Sequence, residues 1–115
     1  MRHCSRKKTL GMGSAQRSSV VRNLMVSMLK SGKVRTTLAK AKVFVPCLEK
    51  MITRAKDNNL SNTRYFISRL NGESVGAIYE IAKKMQDRNG GYIRITKNWR
   101  RYGDSSVMAT VEFVD

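Results

Sequence analysis

The first acidic residue of this chain is Glu49, and the 48 residues before it carry eleven Lys and Arg side chains. No carboxylate is available to pair with them locally, so each cation must end on an exposed surface or against a polyanion. Only the faces that carry apolar residues can turn inward. From Glu49 onward the cations number twelve and the acids eight, so most of the net charge of +15 lies in the N-terminal part of this 115-residue chain. Self-repulsion on that scale works against a compact monomer unless something polyanionic neutralises it. Nucleic acid is the leading candidate and an anionic membrane surface the lesser one.

The length suits one compact core, and a hydrophobic fraction of 41% is ordinary for a globular domain. No stretch approaches the roughly eighteen apolar residues of a membrane span, and no apolar signal core follows the N-terminal charges. The expectation is a soluble protein without a membrane partner. Cys4 and Cys47 stand far apart, and with one histidine in the chain they give no zinc-ligand spacing. Cys47 reads as a small core residue and Cys4 as incidental, both reduced.

Residues 1–13, MRHCSRKKTLGMG, have hardly any apolar periodicity and read as a basic extended arm. Residues 14–115 read as a single domain. Ser14 is a plausible N-cap for a helix whose stripe is Val20, Val21, Leu24 and Met28 and whose end is Gly32. Residues 33–37 alternate as a short strand, and Thr36 or Thr37 caps the next helix directly. In that helix Leu38, Ala41, Val45, Leu48, Ile52 and Ala55 form a core stripe interrupted by Pro46, which predicts a kink or restart near Val45. A short helix then runs through Arg64 to Leu70, and Ser74 caps another with the stripe Val75, Ile78, Ala82 and Met85. Strands near 92–96 and at 107–114 close the chain, joined by the loop NWRRYGDSS. The fold class is α+β: a two-layer α/β sandwich in the order α-β-α-α-α-β-β, its small mixed sheet packed against helices.

Little in the sequence suits catalysis. His3 lies in the arm, where nothing holds its tautomer, and the eight acids are scattered without a metal or glycosidase spacing. The stretch GMG at 11–13 lacks the third glycine of a dinucleotide loop and follows no strand. The chain therefore reads as no enzyme, with no cofactor, metal or small-molecule substrate.

Polyanion binding finds much more. Arg2, His3, Arg6, Lys7 and Lys8 on the arm and Arg17 and Arg22 on the first helix are spaced to reach phosphates. Lys33 and Arg35 share one face of the first strand, and Lys40 and Lys42 project from the start of the following helix, whose dipole adds positive potential. A second cluster interleaves Arg94, Lys97, Arg100 and Arg101 with Tyr92, Trp99 and Tyr102. Exposed rings beside guanidinium groups stack on unpaired bases, although Tyr92 and Trp99 can also serve simply to cover the sheet. An Arg-rich, acid-poor N-terminus also describes an organellar transit peptide, but the helix at 14–30 supplies an apolar stripe that the core needs. A free-standing nucleic-acid regulator is the rival reading. Gln16 and Asn23 are poor material for a recognition helix among serines and packing residues.

Met1, Arg2 and His3, then Lys8, Leu10, Ser14, Arg17, Arg22, Asn23 and Ser27, form an ordered pattern. It continues through Thr36, Thr37, Leu38, Lys40, Ala41 and Lys42 to Glu49, Ile52, Ala55 and Lys56. Gly90, Gly91, Tyr92, Arg94, Ile95, Lys97, Arg101, Gly103, Asp104, Met108 and Ala109 complete it. From end to end the chain resembles the bacterial-type large-subunit ribosomal protein seventeen family, departing from it at Met12, Gln16, Val43 and Trp99. The resemblance implies the same element order and a structural component of the large ribosomal subunit. It further implies binding to large-subunit rRNA near the polypeptide exit region, beside neighbouring large-subunit proteins. The implied location is the ribosome, in a bacterial cytoplasm or in a mitochondrial or plastid matrix.

Overall fold

A computed structural model describes residues 3–115. Its elements run α1 (Ser14–Ser31), β1 (Lys33–Thr37), α2 (Leu38–Ala55), α3 (Leu60–Arg69), α4 (Gly72–Lys84), β2 (Ile93–Arg100) and β3 (Val107–Phe113). This is the α+β class and the element order that the sequence pattern predicts.

β1 passes into α2 with no intervening residue because Thr37 serves both elements. Its backbone is extended (φ −70°, ψ 146°), as a strand requires and as an N-cap requires too. Gly32 closes α1 as expected. Its positive φ of 72° suits a residue without Cβ, and its amide donates to the Met28 carbonyl at 2.8 Å. At the other end of α1 the extended cap falls on Gly13, and Ser14 is the first helical residue.

α2 continues through Pro46 as one helix, without the predicted restart. Side chains on both sides of the proline, from Ala41, Phe44 and Val45 to Leu48, Met51, Ile52 and Ala55, are buried in the same core. The proline itself is on the exposed side. α4 likewise departs from expectation. It begins at Gly72 after an extended Asn71, which leaves Ser74 inside the helix, fully buried, rather than at its cap.

Between α2 and α3 a buried amide organises the turn. Asn62, only 6% exposed, accepts from Arg54 Nε at 2.7 Å and donates through Nδ2 to the carbonyls of Arg54 (3.1 Å) and Asp57 (2.8 Å). Its backbone amide donates to Asn59 Oδ1 at 2.8 Å, which caps α3. Asn62→Ala removes all three side-chain bonds and leaves Arg54 Nε without its acceptor, so stability is expected to fall by about 2 kcal/mol. A lower denaturant midpoint at unchanged m value is the readout.

The sheet has the order β1-β3-β2 and is antiparallel at both pairings, which corrects the expectation of a mixed sheet. β1 and β2 do run in the same direction, but β3 returns between them, so the two parallel strands never become neighbours. α2 touches all three strands. Val34, Ile93, Ile95, Ala109, Val111 and Phe113 face the helices and join the core. Strand alternation then places Lys33, Arg35, Arg94, Thr96, Thr110 and Glu112 on the opposite face.

Candidate nucleic-acid interface

α1, α2 and α3 enclose a groove of about 700 Å³ whose lining includes Lys8, Arg17, Arg22, Lys50 and Arg69 and no acidic residue. Helical spacing explains the α2 wall: Val43, Cys47 and Lys50 follow one another at four and three residues, on the side away from the core stripe. Cys47 is therefore exposed in the groove rather than buried, because Leu48, about 100° further round, takes the core position. Cys4 is also a free, exposed thiol. Arg69 lies 5.4 Å and Arg54 4.0 Å from the ring centre of Tyr65 beneath them, so the aromatic face holds two guanidinium groups in place.

Arg22 has a structural task here that the sequence does not reveal. Its Nε and Nη2 donate to the carbonyls of Arg69 and Ser68 at 3.1 and 3.0 Å, satisfying the C-terminal end of α3 and tying it to α1. Arg17 donates to the Met12 carbonyl at 3.1 Å and so fixes the end of the arm. Lys50 and Arg69 were missed as site residues. Their signal is the polar face of α2 and a cation in the last turn of α3.

At the start of α2 a second recess of about 570 Å³ is lined by Lys8, Thr37, Leu38, Ala39, Lys42, Ser106 and Val107. Lys8 borders both recesses. Lys40 is about 200° round the helix from Lys42 and looks elsewhere. The helix has no acid in its first turn, so its dipole adds to these charges. His3, Arg6 and Lys7 are exposed in a segment without helix or strand, and Arg2 lies outside the described residues.

The outer sheet face joins the two basic clusters that are far apart in sequence. Register aligns Lys33, Glu112 and Arg94 in one row across the three strands, with Arg35 and Thr110 in the next. Lys33 Nζ lies 3.3 Å from Glu112 Oε2, which leaves Arg35 and Arg94 without an ion pair among the described residues.

β2 extends to Arg100, beyond the expected end at 96, through an irregularity between Lys97 and Arg100. Trp99 and Arg100 therefore belong to a strand, and the turn to β3 is short. Tyr92 is a core residue, 1% exposed, with its hydroxyl 3.1 Å from Thr53 Oγ1. Trp99 and Tyr102 are exposed. Arg101 pairs with Asp104 through both its Nε and its Nη2, so its charge is largely engaged.

Arg101, and then the Ser106 amide, hold the Asp104 carboxyl well below the usual carboxylate range. A depressed acid contributes structure above its ordinary value and loses it only as pH falls through the lowered one. The turn is therefore expected to stay intact down to about pH 4 and to loosen only in stronger acid. NMR shifts of the Asp104 carboxyl and the Ser106 amide across an acid titration are the check.

No group of three metal-ligating side chains occurs among the described residues. No helix among them is long and apolar enough to cross a membrane.

The family model described as Ribosomal protein L17 matches residues 20–114. A large ribosomal subunit protein bL17 from Neorickettsia sennetsu is 42% identical over 117 positions, covering 99% of this chain and 100% of that protein. Its counterpart from Sphingopyxis alaskensis is 41% identical, covering 100% of this chain and 84% of its own length. That from Campylobacter lari is 40% identical, covering 99% of both.

Proposed function

The chain belongs to the ribosomal protein L17 family, and from that premise we propose that it binds and stabilises large-subunit rRNA near the polypeptide exit region. It is a structural constituent of the large ribosomal subunit rather than an enzyme. The observation that carries the RNA reading is the acid-free groove, where the arm and three helices bring Lys8, Arg17, Arg22, Lys50 and Arg69 to one place. Cations held on rigid elements neutralise crowded phosphates and read the shape of an RNA helix, with few base-specific contacts. Arg35 and Arg94 on the sheet and Lys42 at the α2 corner extend the same surface. The arm at residues 1–13, with Arg2, His3, Arg6 and Lys7, threads between RNA segments while the domain at 14–115 stays on the subunit surface beside neighbouring ribosomal proteins.

Sedimentation of a lysate carrying the tagged chain tests this reading. Comigration with the large subunit, lost after ribonuclease or high salt, is the expected result. Recovery only at the top of the gradient would overturn it.

A further inference from the structure

We propose that the tip of the β2–β3 hairpin is a stacking finger for unpaired RNA bases, with Trp99 and Tyr102 as its two platforms. This deepens the RNA-binding reading above and rests on it.

Trp99 is 86% exposed and Tyr102 fully so, beyond any other large apolar side chain described. Neither ring meets another ring or a cation within the described residues. Isolated on a mobile loop, such rings would count for little, but this turn is heavily braced. Arg101 grips Asp104, Ser106 N donates to Asp104 Oδ1 at 3.1 Å, and Ser105 N donates to the Arg101 carbonyl at 3.0 Å. Arg101 N closes the turn on the Ser106 carbonyl at 2.8 Å. The rings are thus presented on a preformed scaffold, which reduces the ordering needed on binding.

The register irregularity aims one of them. Strict alternation from Ile93 and Ile95 would set Trp99 on the helix-facing side. The shift between Lys97 and Arg100 breaks that alternation, and Trp99 stands in solvent. In the same segment of chain Lys97 and Arg100 are exposed and carry no ion pair among the described residues, and the one acid of the turn, Asp104, is held by Arg101. Flat apolar faces flanked by free cations fit a base and its phosphate together. An apolar protein partner would instead bury those cations without counter-charge. Bases inside a duplex offer no open face, so the ligand is unpaired RNA.

Trp99 is the single tryptophan of the chain, so its fluorescence reports on the tip alone. The full chain is titrated with single-stranded oligoadenylate and with a paired RNA duplex of equal length, while binding is followed separately by anisotropy of the labelled RNA. Oligoadenylate is expected to quench Trp99, and the duplex to bind without quenching. Trp99→Ala and Tyr102→Ala should each weaken oligoadenylate binding about 5- to 150-fold and leave duplex binding unchanged. Lys50→Ala should weaken both. Oligoadenylate binding without quenching, or unaltered in the two ring variants, would overturn the finger and leave phosphate binding in place. Quenching by RNA-stripped ribosomal protein but not by oligoadenylate would make the tip a protein contact and overturn it equally. Failure of both RNAs to bind would overturn the RNA reading itself.

Discussion

Between about 50 and 200 mM salt, the affinity of the purified chain for a large-subunit rRNA fragment is expected to fall by about three to five decades. Five cations line the groove, Arg35 and Arg94 stand on the sheet, and Lys42 marks the α2 corner. Together with the arm they can neutralise on the order of six to ten phosphates, and each neutralised phosphate releases condensed counterion. Removing one groove cation that makes no other bond among the described residues, as in Lys50→Ala, should lower the log–log slope by about one and weaken all RNA sequences alike. Arg22→Ala should cost more than its phosphate share, since it also frees the Ser68 and Arg69 carbonyls at the end of α3. A binding isotherm indifferent to salt would mean that these cations do not meet phosphate.

Phe44→Ala is the second large effect, and it acts on stability. Phe44 is 0% exposed on α2, which touches all three strands. Truncating it loses the transfer energy of the ring and leaves a cavity that neighbours anchored on two layers fill only in part. The expected cost is about 3–5 kcal/mol, a large fraction of the roughly 5–15 kcal/mol that holds a domain of this kind together. Tm should fall by about 10–30 °C. The folded fraction should retain its salt dependence, because Phe44 is fully buried and lines neither basic recess.

Local signals explain why the element order was legible and why the site was legible only in pieces. Gly32 marked the end of α1, the period-two run at 33–37 marked β1, and the stripe from Leu38 to Ala55 marked α2. The restart expected at Pro46 does not occur because the cost of a proline in a helix is local, whereas the burial on either side of it is distributed along the whole element. Ser74 misled because a capping residue type says nothing about which nearby residue takes extended backbone, and Asn71 takes it. Sheet order needs long-range pairing, so nothing in the strands themselves revealed that β3 returns between β1 and β2. The same limit hid the union of Lys33 and Arg35 with Arg94, which meet only through the register of Glu112 and Thr110. Arg22 was legible as a cation but not as the clamp on α3. Tyr92 and Trp99 carry similar sequence signals, and only packing separates the core ring from the exposed one.

The position of β3 at the centre of the sheet has a consequence for the order of events on a translating ribosome. β1 emerges early but cannot pair until residues 107–113 have been made, some seventy residues later, and β2 waits for the same partner. Such late, distant closure is slow compared with the local folding of helices. For most of its synthesis the chain is therefore a set of helices and a basic leading segment with β1 unpaired. Most of its cations precede its finished sheet, so under the proposed RNA-binding role RNA would engage the nascent protein first and act as a template on which the last strand completes the fold.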